Sequence, residues 1–307
     1  MFEILFLGTG ASVPSRDRSL PCVAVRQGRS ISLFDCGEGS QRQLMISPFS
    51  FMKIDRIFIS HMHGDHILGL PGLLQTMGMS GREKSVSIYG PVGLDKALRG
   101  MLDACEGELE FEIEVIETEG GESFDFGTFS VDVFSTVHNT PSVGFVYREH
   151  DRPGTFDKNA AERLGLRPGE EFSRLQAGET VKGVRPEDVI GPARPGPLMV
   201  YTGDTVPCDG IDEASRGADV LIHEATYIDD DSELAEQHFH STSKSAAETA
   251  KRCDVKMLAL IHISNRYGGS EAPLEEAKAI FGNTIVPSDL QMLTVTGGEI
   301  KVSDRSE

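Results

Sequence analysis

A chain of 307 residues with 39% hydrophobic side chains can bury a full core, as one large domain or two small ones. Its formal net charge of −19 argues against a general nucleic-acid binder, because neutralising phosphates takes Lys and Arg, although an acidic body can still carry RNA on a local surface. The N-terminal apolar run is too short for a signal peptide, no run is long enough to span a bilayer, and five cysteines (22, 36, 105, 208, 253) without C-x-x-C spacing read as reduced thiols of a cytoplasmic protein.

Residues 2–7 alternate loosely and run into Gly8-Thr9-Gly10, a strand and a turn. Residues 23–27 and 31–34 flank Gly28 as a hairpin, and the second strand runs into Asp35-Cys36-Gly37-Glu38-Gly39. Asp35 is placed either to accept a hydrogen bond from a metal-bound imidazole or to cap a helix over residues 40–45. Residues 53–60 read as a buried strand and 67–74 as the opening of a helix. Ser60-His61-Met62-His63-Gly64-Asp65-His66 then occupies a strand-to-helix loop. A strand over 85–89 and a helix over 92–104 follow. Residues 108–115 alternate strictly, with Glu108, Glu110, Glu112 and Glu114 on one face, and read as a half-buried strand with a solvated acidic side. Strands over 128–137, 198–201, 219–222 and 257–261 each end on polar residues: His138, Gly203-Asp204-Thr205, His223-Glu224-Ala225-Thr226 and His262. Helices over 242–252 and 273–281 alternate with the last strands. Strands with interspersed helices imply two sheets packed face to face with helices outside, an α/β class.

Residues 147–195 break this rhythm. They are rich in Gly, Pro and charge and too long for an ordinary connection, so they read as an inserted flexible segment, either a disordered insert or a functional arm. The arm holds nine basic and nine acidic residues, which leaves 20 basic against 39 acidic for the rest of the chain. The body therefore carries the whole negative balance, and the neutral arm is the surface most tolerant of RNA.

The pattern H-x-H-x-D-H places three of the nine histidines and one carboxylate within six positions. Imidazole with carboxylate suits zinc, iron or manganese rather than magnesium or calcium. In an extended loop residues two apart point the same way, so His61 and His63 face one point, and Asp65 and His66 a second. With His138, Asp204 and His262 the candidate ligands number seven, too many for one ion and suited to two. Asp204 can bridge, since a carboxylate has two oxygens. Two ions roughly 3.5–4 Å apart clamp the attacking and leaving oxygens of a phosphoryl displacement. The residues thus read as a binuclear metallohydrolase acting on phosphodiesters.

These motifs closely resemble the metallo-β-lactamase superfamily and, within it, the ribonuclease Z family of tRNA 3′-processing endonucleases in their short form. The more specific matches are Gly37-Glu38-Gly39-Ser40-Gln41-Arg42-Gln43-Leu44, the arm, Tyr201-Thr202-Gly203-Asp204-Thr205, His223-Glu224-Ala225-Thr226, His240-Ser241-Thr242 and His262-Ile263-Ser264-Asn265-Arg266-Tyr267. The family usually has Thr where Ser40 stands. The resemblance implies an αββα four-layer sandwich over residues 1–307 with the arm protruding at 147–195 as a tRNA exosite. It implies a first zinc on His61, His63, His138 and Asp204, and a second on Asp65, His66, Asp204 and His262. Manganese or iron would suit the same donors. It assigns Asp65 as acceptor of the water proton, His240 supported by Glu224 as general acid, and a homodimer as the acting form. His223 is left to packing, and Arg42 and Arg266 are candidate phosphate contacts. The products expected are a tRNA 3′-hydroxyl and a trailer 5′-phosphate. A small-molecule phosphodiesterase of the same fold shares all seven ligands and stands as the alternative. A flavodiiron-type oxidoreductase typically has Glu where this chain has His63, and a non-catalytic relative would have lost ligands.

Overall fold

The structure is a computed structural model describing residues 1–105 and 109–303. In its first sheet the chain lays down β1 (Phe2–Gly8), β2 (Cys22–Gln27), β3 (Ser30–Phe34), β4 (Ile54–Phe58), β5 (Val86–Pro91) and β6 (Ile113–Thr118). The second sheet takes β7 (Ser123–Asp125), β8 (Phe129–Ser135), β9 (Val143–Glu149), β10 (Leu198–Tyr201), β11 (Val220–Glu224), β12 (Met257–Ile261) and β13 (Thr284–Ile285). A closing hairpin, β14 (Met292–Thr296) and β15 (Glu299–Ser303), returns to the first. The strand orders are β15-β14-β1-β2-β3-β4-β5-β6 and β13-β12-β11-β10-β9-β8-β7.

Strand periodicity explains why two sheets stack with helices outside. Successive side chains point to opposite faces. In β1, Phe2, Ile4 and Phe6 enter the cluster between the sheets, while Leu5 and Leu7 enter the one behind the first sheet. In β12, Met257, Ala259 and Ile261 face inward and Leu258 and Leu260 outward. Strands apolar on both faces need cover on both. Leu44 of α1 (Ser40–Met45), Ile67 of α2 (Gly64–Ile67), Leu73 and Met77 of α3 (Leu70–Met79) and Leu98 of α4 (Leu94–Asp103) cover the first sheet. The inner layer is aromatic, with Phe34 stacked on Phe58 at 5.1 Å and Phe129 on Tyr147 at 4.5 Å.

The chain forms two compact units, Met1–Arg148 with Pro197–Glu307, and Glu149–Gly196. The smaller unit holds α5 (Lys158–Arg163) and α6 (Glu170–Gln176) and its own apolar cluster of Ala161, Leu166, Phe172, Leu175, Val181, Val184 and Val189. Its two ends meet, with Arg152 N donating to Arg194 O at 3.0 Å and Arg194 N to Arg152 O at 2.9 Å. In the larger unit, α7 (Asp209–Ser215), α8 (Ser232–His238), α9 (Ser243–Arg252) and α10 (Glu271–Ile280) complete the helices. Ala246, Ala247 and Ala250 of α9 and Ala277 of α10 pack behind the second sheet.

Several local expectations shift. Tyr147 belongs to β9, paired with Met199, and is a fully buried core residue. The strand expected over 108–115 is instead β6, Ile113–Thr118, at the edge of the first sheet. Glu108 lies outside the described residues. Residues 109–112 keep the alternation in burial without joining a ladder, since Phe111 is buried while Glu110 and Glu112 are exposed. His223 and Glu224 sit inside β11 rather than beyond it. Asp65 and His66 lie on the short helix α2, with only His61 and His63 on extended chain.

Candidate active site

Parallel pairing of β10 with β11 and of β11 with β12 sets their C-terminal ends along one edge of the second sheet. Asp204, Glu224 and His262 come from these ends. In the first sheet β3 and β4 are also parallel, and their ends deliver Asp35 and the loop holding His61. Two close approaches join these pieces. A Cβ at Gly203 (φ +62°) would stand 2.5 Å from Ser60 Cβ, and one at Gly37 would stand 2.3 Å from the Asp65 carbonyl oxygen.

All seven sequence-derived ligand candidates converge. One group is His61, His63, His138 and Asp204, and another is Asp65, His66 and His262; within each, ligand atoms lie within 4.8 Å of one another. Asp204 Oδ2 stands 3.7 Å from His61 Nε2 and 3.3 Å from both His66 Nε2 and His262 Nε2. Asp65 Oδ2 is 3.3 Å from His262 Nε2 and 3.7 Å from His66 Nε2. His63 Nδ1 faces His138 Nε2 at 3.2 Å. Donors bound at about 2.0–2.1 Å around a tetrahedral ion are separated by about 3.3–3.4 Å, so these spacings fit metal coordination.

The hydrogen bonds behind the ligands fix which nitrogen faces the centre. Ser60 Oγ donates to Asp35 Oδ2 at 2.8 Å, so it accepts from His61 Nδ1 at 3.0 Å. His66 Nδ1 donates to Asp35 Oδ2 at 2.7 Å, and His138 Nδ1 to the Phe239 carbonyl at 2.8 Å. Thr226 Oγ1 donates to Glu224 Oε2 and accepts from His262 Nδ1, both at 2.7 Å. Each of these four imidazoles is thereby left with Nε2 toward the cluster. Among the described residues, His61 Nε2 and His66 Nε2 are buried with no hydrogen bond of good geometry, though Asp204 Oδ2 lies 3.3 Å from the latter. An orphaned buried nitrogen is costly unless a cation meets it. Two further uses of the backbone sharpen the site. Asp35 (φ 58°) and His262 (φ 56°) adopt left-handed conformations, which non-glycine residues hold only where the surroundings demand it.

Of the two readings of Asp35, the structure takes the first. Its carboxylate is fully buried and accepts from Ser60 N at 2.7 Å, Ser60 Oγ, His66 Nδ1 and Tyr201 Oη at 2.5 Å. Gly39, not Asp35, precedes α1. Tyr201, Ser60 and Thr226 carry no role in the sequence reading. Tyr201 and Thr226 stand in stretches that the family resemblance singled out, but a hydroxyl between two sheets is legible only once they are stacked.

Electrostatics divide the imidazoles: burial works against a charged His66, but Asp204 and Asp35 override it and raise its pKa well above the ordinary value. Burial lowers the pKa of His61, His63 and His138, and for His61 the neighbouring His66 adds to it. Neutral imidazole is the form that binds metal. Burial of Asp204 favours its neutral form, but His262 and His66 outweigh it and hold the carboxyl well below its usual range. Beside this cluster His240 Nδ1 donates to Glu224 Oε1 at 2.8 Å. Glu224 is buried and also accepts from Thr205 N at 3.0 Å and Thr226 N at 3.1 Å. Burial works against an imidazolium at His240, yet Glu224 overrides it and lifts the pKa to about 9. His223 is fully buried, its Nδ1 2.7 Å from the Glu224 carbonyl, and stands outside the cluster. Arg266 lies over the Tyr227 ring at 5.3 Å and 3.4 Å from Asp231; Tyr227 in turn lies 6.0 Å from the His240 ring. Arg42 is exposed on α1.

Comparison with known proteins accords with this arrangement. Residues 2–160 match the family model described as anti-Pycsar protein Apyc1, and residues 175–263 that of the beta-lactamase superfamily domain. Ribonuclease Z of Methanosarcina acetivorans is 42% identical over 96% of this chain and 98% of its own, and that of Archaeoglobus fulgidus is 42% identical over 97% and 99%. The chain belongs to the ribonuclease Z family. It is accordingly a hydrolytic endoribonuclease on the metallo-β-lactamase fold. The crystal structure of human tRNase Z, short form, superposes with a TM-score of 0.69 at 30% identity, covering 96% of this chain and 99% of that one. The metallo-β-lactamase fold protein YhfI of Bacillus subtilis superposes equally well, at 0.69 with 17% identity, and speaks to the fold alone. Within the family frame, the His and Asp clusters are groups that could hold metal. No helix among the described residues is long and apolar enough to cross a membrane.

Proposed function

We propose that this chain removes 3′ trailers from tRNA precursors, cutting after the discriminator nucleotide and leaving a tRNA 3′-hydroxyl and a trailer 5′-phosphate. The observation that carries it is the seven-donor cluster standing beside the His240–Glu224 pair in a ribonuclease Z chain. Each piece has a task. His61, His63, His138 and Asp204 hold one zinc, and Asp65, His66, Asp204 and His262 hold a second. When bound, the ions supply Lewis-acid activation of water and neutralise charge on the phosphoryl oxygens. Asp65, its Oδ2 also accepting from Ser12 N at 2.9 Å, takes the proton of the attacking water. The leaving ribose 3′-oxygen is a strong base and needs a proton. His240 supplies it from Nε2 while Glu224 keeps hold of Nδ1–H and stabilises the imidazolium. Mapping both product ends after cleavage of a precursor carrying a 3′ trailer tests the assignment. Fragments ending in a 2′,3′-cyclic phosphate would point to attack by the ribose 2′-hydroxyl and sink it.

Thr226 links the two halves of this chemistry, accepting from His262 and bonding Glu224. Thr226→Val keeps the shape and removes the acceptor. It should weaken metal binding roughly 10–100-fold in competition with a chelator. Unchanged affinity would mean that the hydroxyl does not orient His262.

The unit Glu149–Gly196 acts as the exosite for tRNA. Its Lys158, Arg163 and Arg194 are exposed, and with eight basic and nine acidic residues it is nearly neutral on a chain of net charge −19. Because its ends are hydrogen-bonded to each other, excising 153–193 with a short linker leaves β9 and β10 joined without stretching. Precursor cleavage should fall at least about 100-fold, with hydrolysis of bis(p-nitrophenyl) phosphate kept within a few-fold. Retained tRNA cleavage would remove the exosite role. Arg42 and Arg266 contact substrate phosphates. Arg42→Ala and Arg266→Ala should each raise KM for the precursor several-fold, and far more than for the small ester; equal effects on the two substrates would argue for structural roles.

The acting form is a homodimer. Met45 ends α1 and Ile46 follows it, Leu68 precedes α3 and Met79 ends it; all four are exposed, and α1 touches α3. Exposed apolar side chains on and beside neighbouring helices support self-association. The five cysteines are free thiols, which suits a cytoplasmic site of action.

A further inference from the structure

Phe239 stands where stability alone would put a different residue. It ends α8 in left-handed backbone, φ 59° and ψ 47°, a region that favours Gly or Asn. Its side chain is 41% exposed, belongs to none of the apolar clusters, and meets no aromatic ring among the described residues. An aromatic ring in this place satisfies neither the backbone nor the core.

The same residue is rooted in the reaction centre. Its carbonyl accepts from His138 Nδ1 at 2.8 Å, and the next residue is His240, whose ring centroid is 5.1 Å from that of His138. Bond lengths then put the Phe239 Cα within about 8 Å of His138 Nε2, the span of one nucleotide. Resting on the tRNA 3′-processing reading above, we infer that the Phe239 ring is a stacking platform for the base of the nucleotide whose 3′-oxygen leaves. His240 delivers its proton to that oxygen, so the adjoining side chain is one sugar away from that base. Every base has a π-face, so such a platform holds the discriminator in register whatever its identity. The left-handed backbone is what lets one residue aim its carbonyl at His138 and offer its ring to solvent.

The test is a two-by-two cycle with precursor tRNA carrying either a normal or an abasic discriminator, cleaved by wild type, Phe239→Gly and Phe239→Asn. Both variants tolerate the left-handed backbone, so bound metal should be retained and Tm should hold or rise. The abasic substrate should lower wild-type kcat/KM about tenfold or more, and each variant should lose a similar factor on the normal substrate. Combined, the two changes should cost no more than either alone, and Phe239→Tyr should restore wild-type behaviour on both RNAs. Losses that multiply, or a Tyr variant as impaired as the Gly variant, would overturn the platform while leaving the tRNA reading intact. A wild-type enzyme unable to cut either RNA would overturn that reading, and this inference with it.

Discussion

Asp204→Ala is expected to release the bound metal and to lower precursor cleavage by at least about 10³-fold. Asp204 stands near members of both ligand groups, with Oδ2 3.7 Å from His61 and 3.3 Å from His66 and His262. Removing it takes away the carboxylate beside His61 and leaves Asp65, 3.3 Å from His262 and 3.7 Å from His66, as the remaining negative charge among these imidazoles. Wild-type protein loaded with zinc and dialysed should retain two equivalents per chain and the variant fewer than one, by elemental analysis. Metal binding stabilises only the folded state, so the Tm gain on adding zinc should also shrink in the variant. A variant that keeps two tightly held ions would show that Asp204 is not the shared ligand. The outcome has a stability side as well. Asp204 has a depressed folded-state pKa, so in the metal-free protein it contributes stability above the ordinary carboxylate range that is lost as pH falls.

His240→Ala should separate the two substrates by their leaving groups. On precursor tRNA the leaving 3′-alkoxide needs protonation, and losing a general acid costs about 10²–10⁴-fold in kcat. The p-nitrophenolate leaving from bis(p-nitrophenyl) phosphate is stable without a proton, so that substrate should lose no more than a few-fold. Glu224→Gln should follow the same split less severely, because it leaves His240 in place but withdraws the charge that lifts its pKa to about 9. Equal losses on both substrates would place His240 in metal binding instead. That outcome has a structural basis to be weighed, since Asp204, His240 and His262 also form a group whose ligand atoms lie within 4.8 Å of one another.

The candidate ligands are legible because they cluster locally or recur at the ends of apolar strands. His61, His63, Asp65 and His66 lie within six positions, and His138, Asp204 and His262 follow apolar strands. Elements were missed for different reasons. β7 and β13 are three and two residues long, too short for a periodic signal. The last three residues of β9, 147–149, fall in the arm as bounded from the sequence, because charged residues follow Tyr147 directly. The closing hairpin β14–β15, absent from the sequence expectations, does carry a signal in the Gly297-Gly298 turn between alternating segments. The expected flexible arm is a segment with its own apolar cluster, whose buried positions are too dispersed among Gly, Pro and charge to show a period.

What the sequence determined by itself is the chemistry of the donors and the layering of the fold. Imidazole and carboxylate have intrinsic metal preferences, and alternation along a strand dictates which faces must be covered, both of which are properties of residues and their near neighbours. Only the tertiary structure decided how the donors are aimed. Ser60, Tyr201 and His66 meet on Asp35, Thr226 stands between Glu224 and His262, and the Phe239 carbonyl holds His138 across 101 residues. A hydrogen bond a few ångströms long is specified by the packing of two sheets and the turns between them, and no local pattern in the chain encodes that distance.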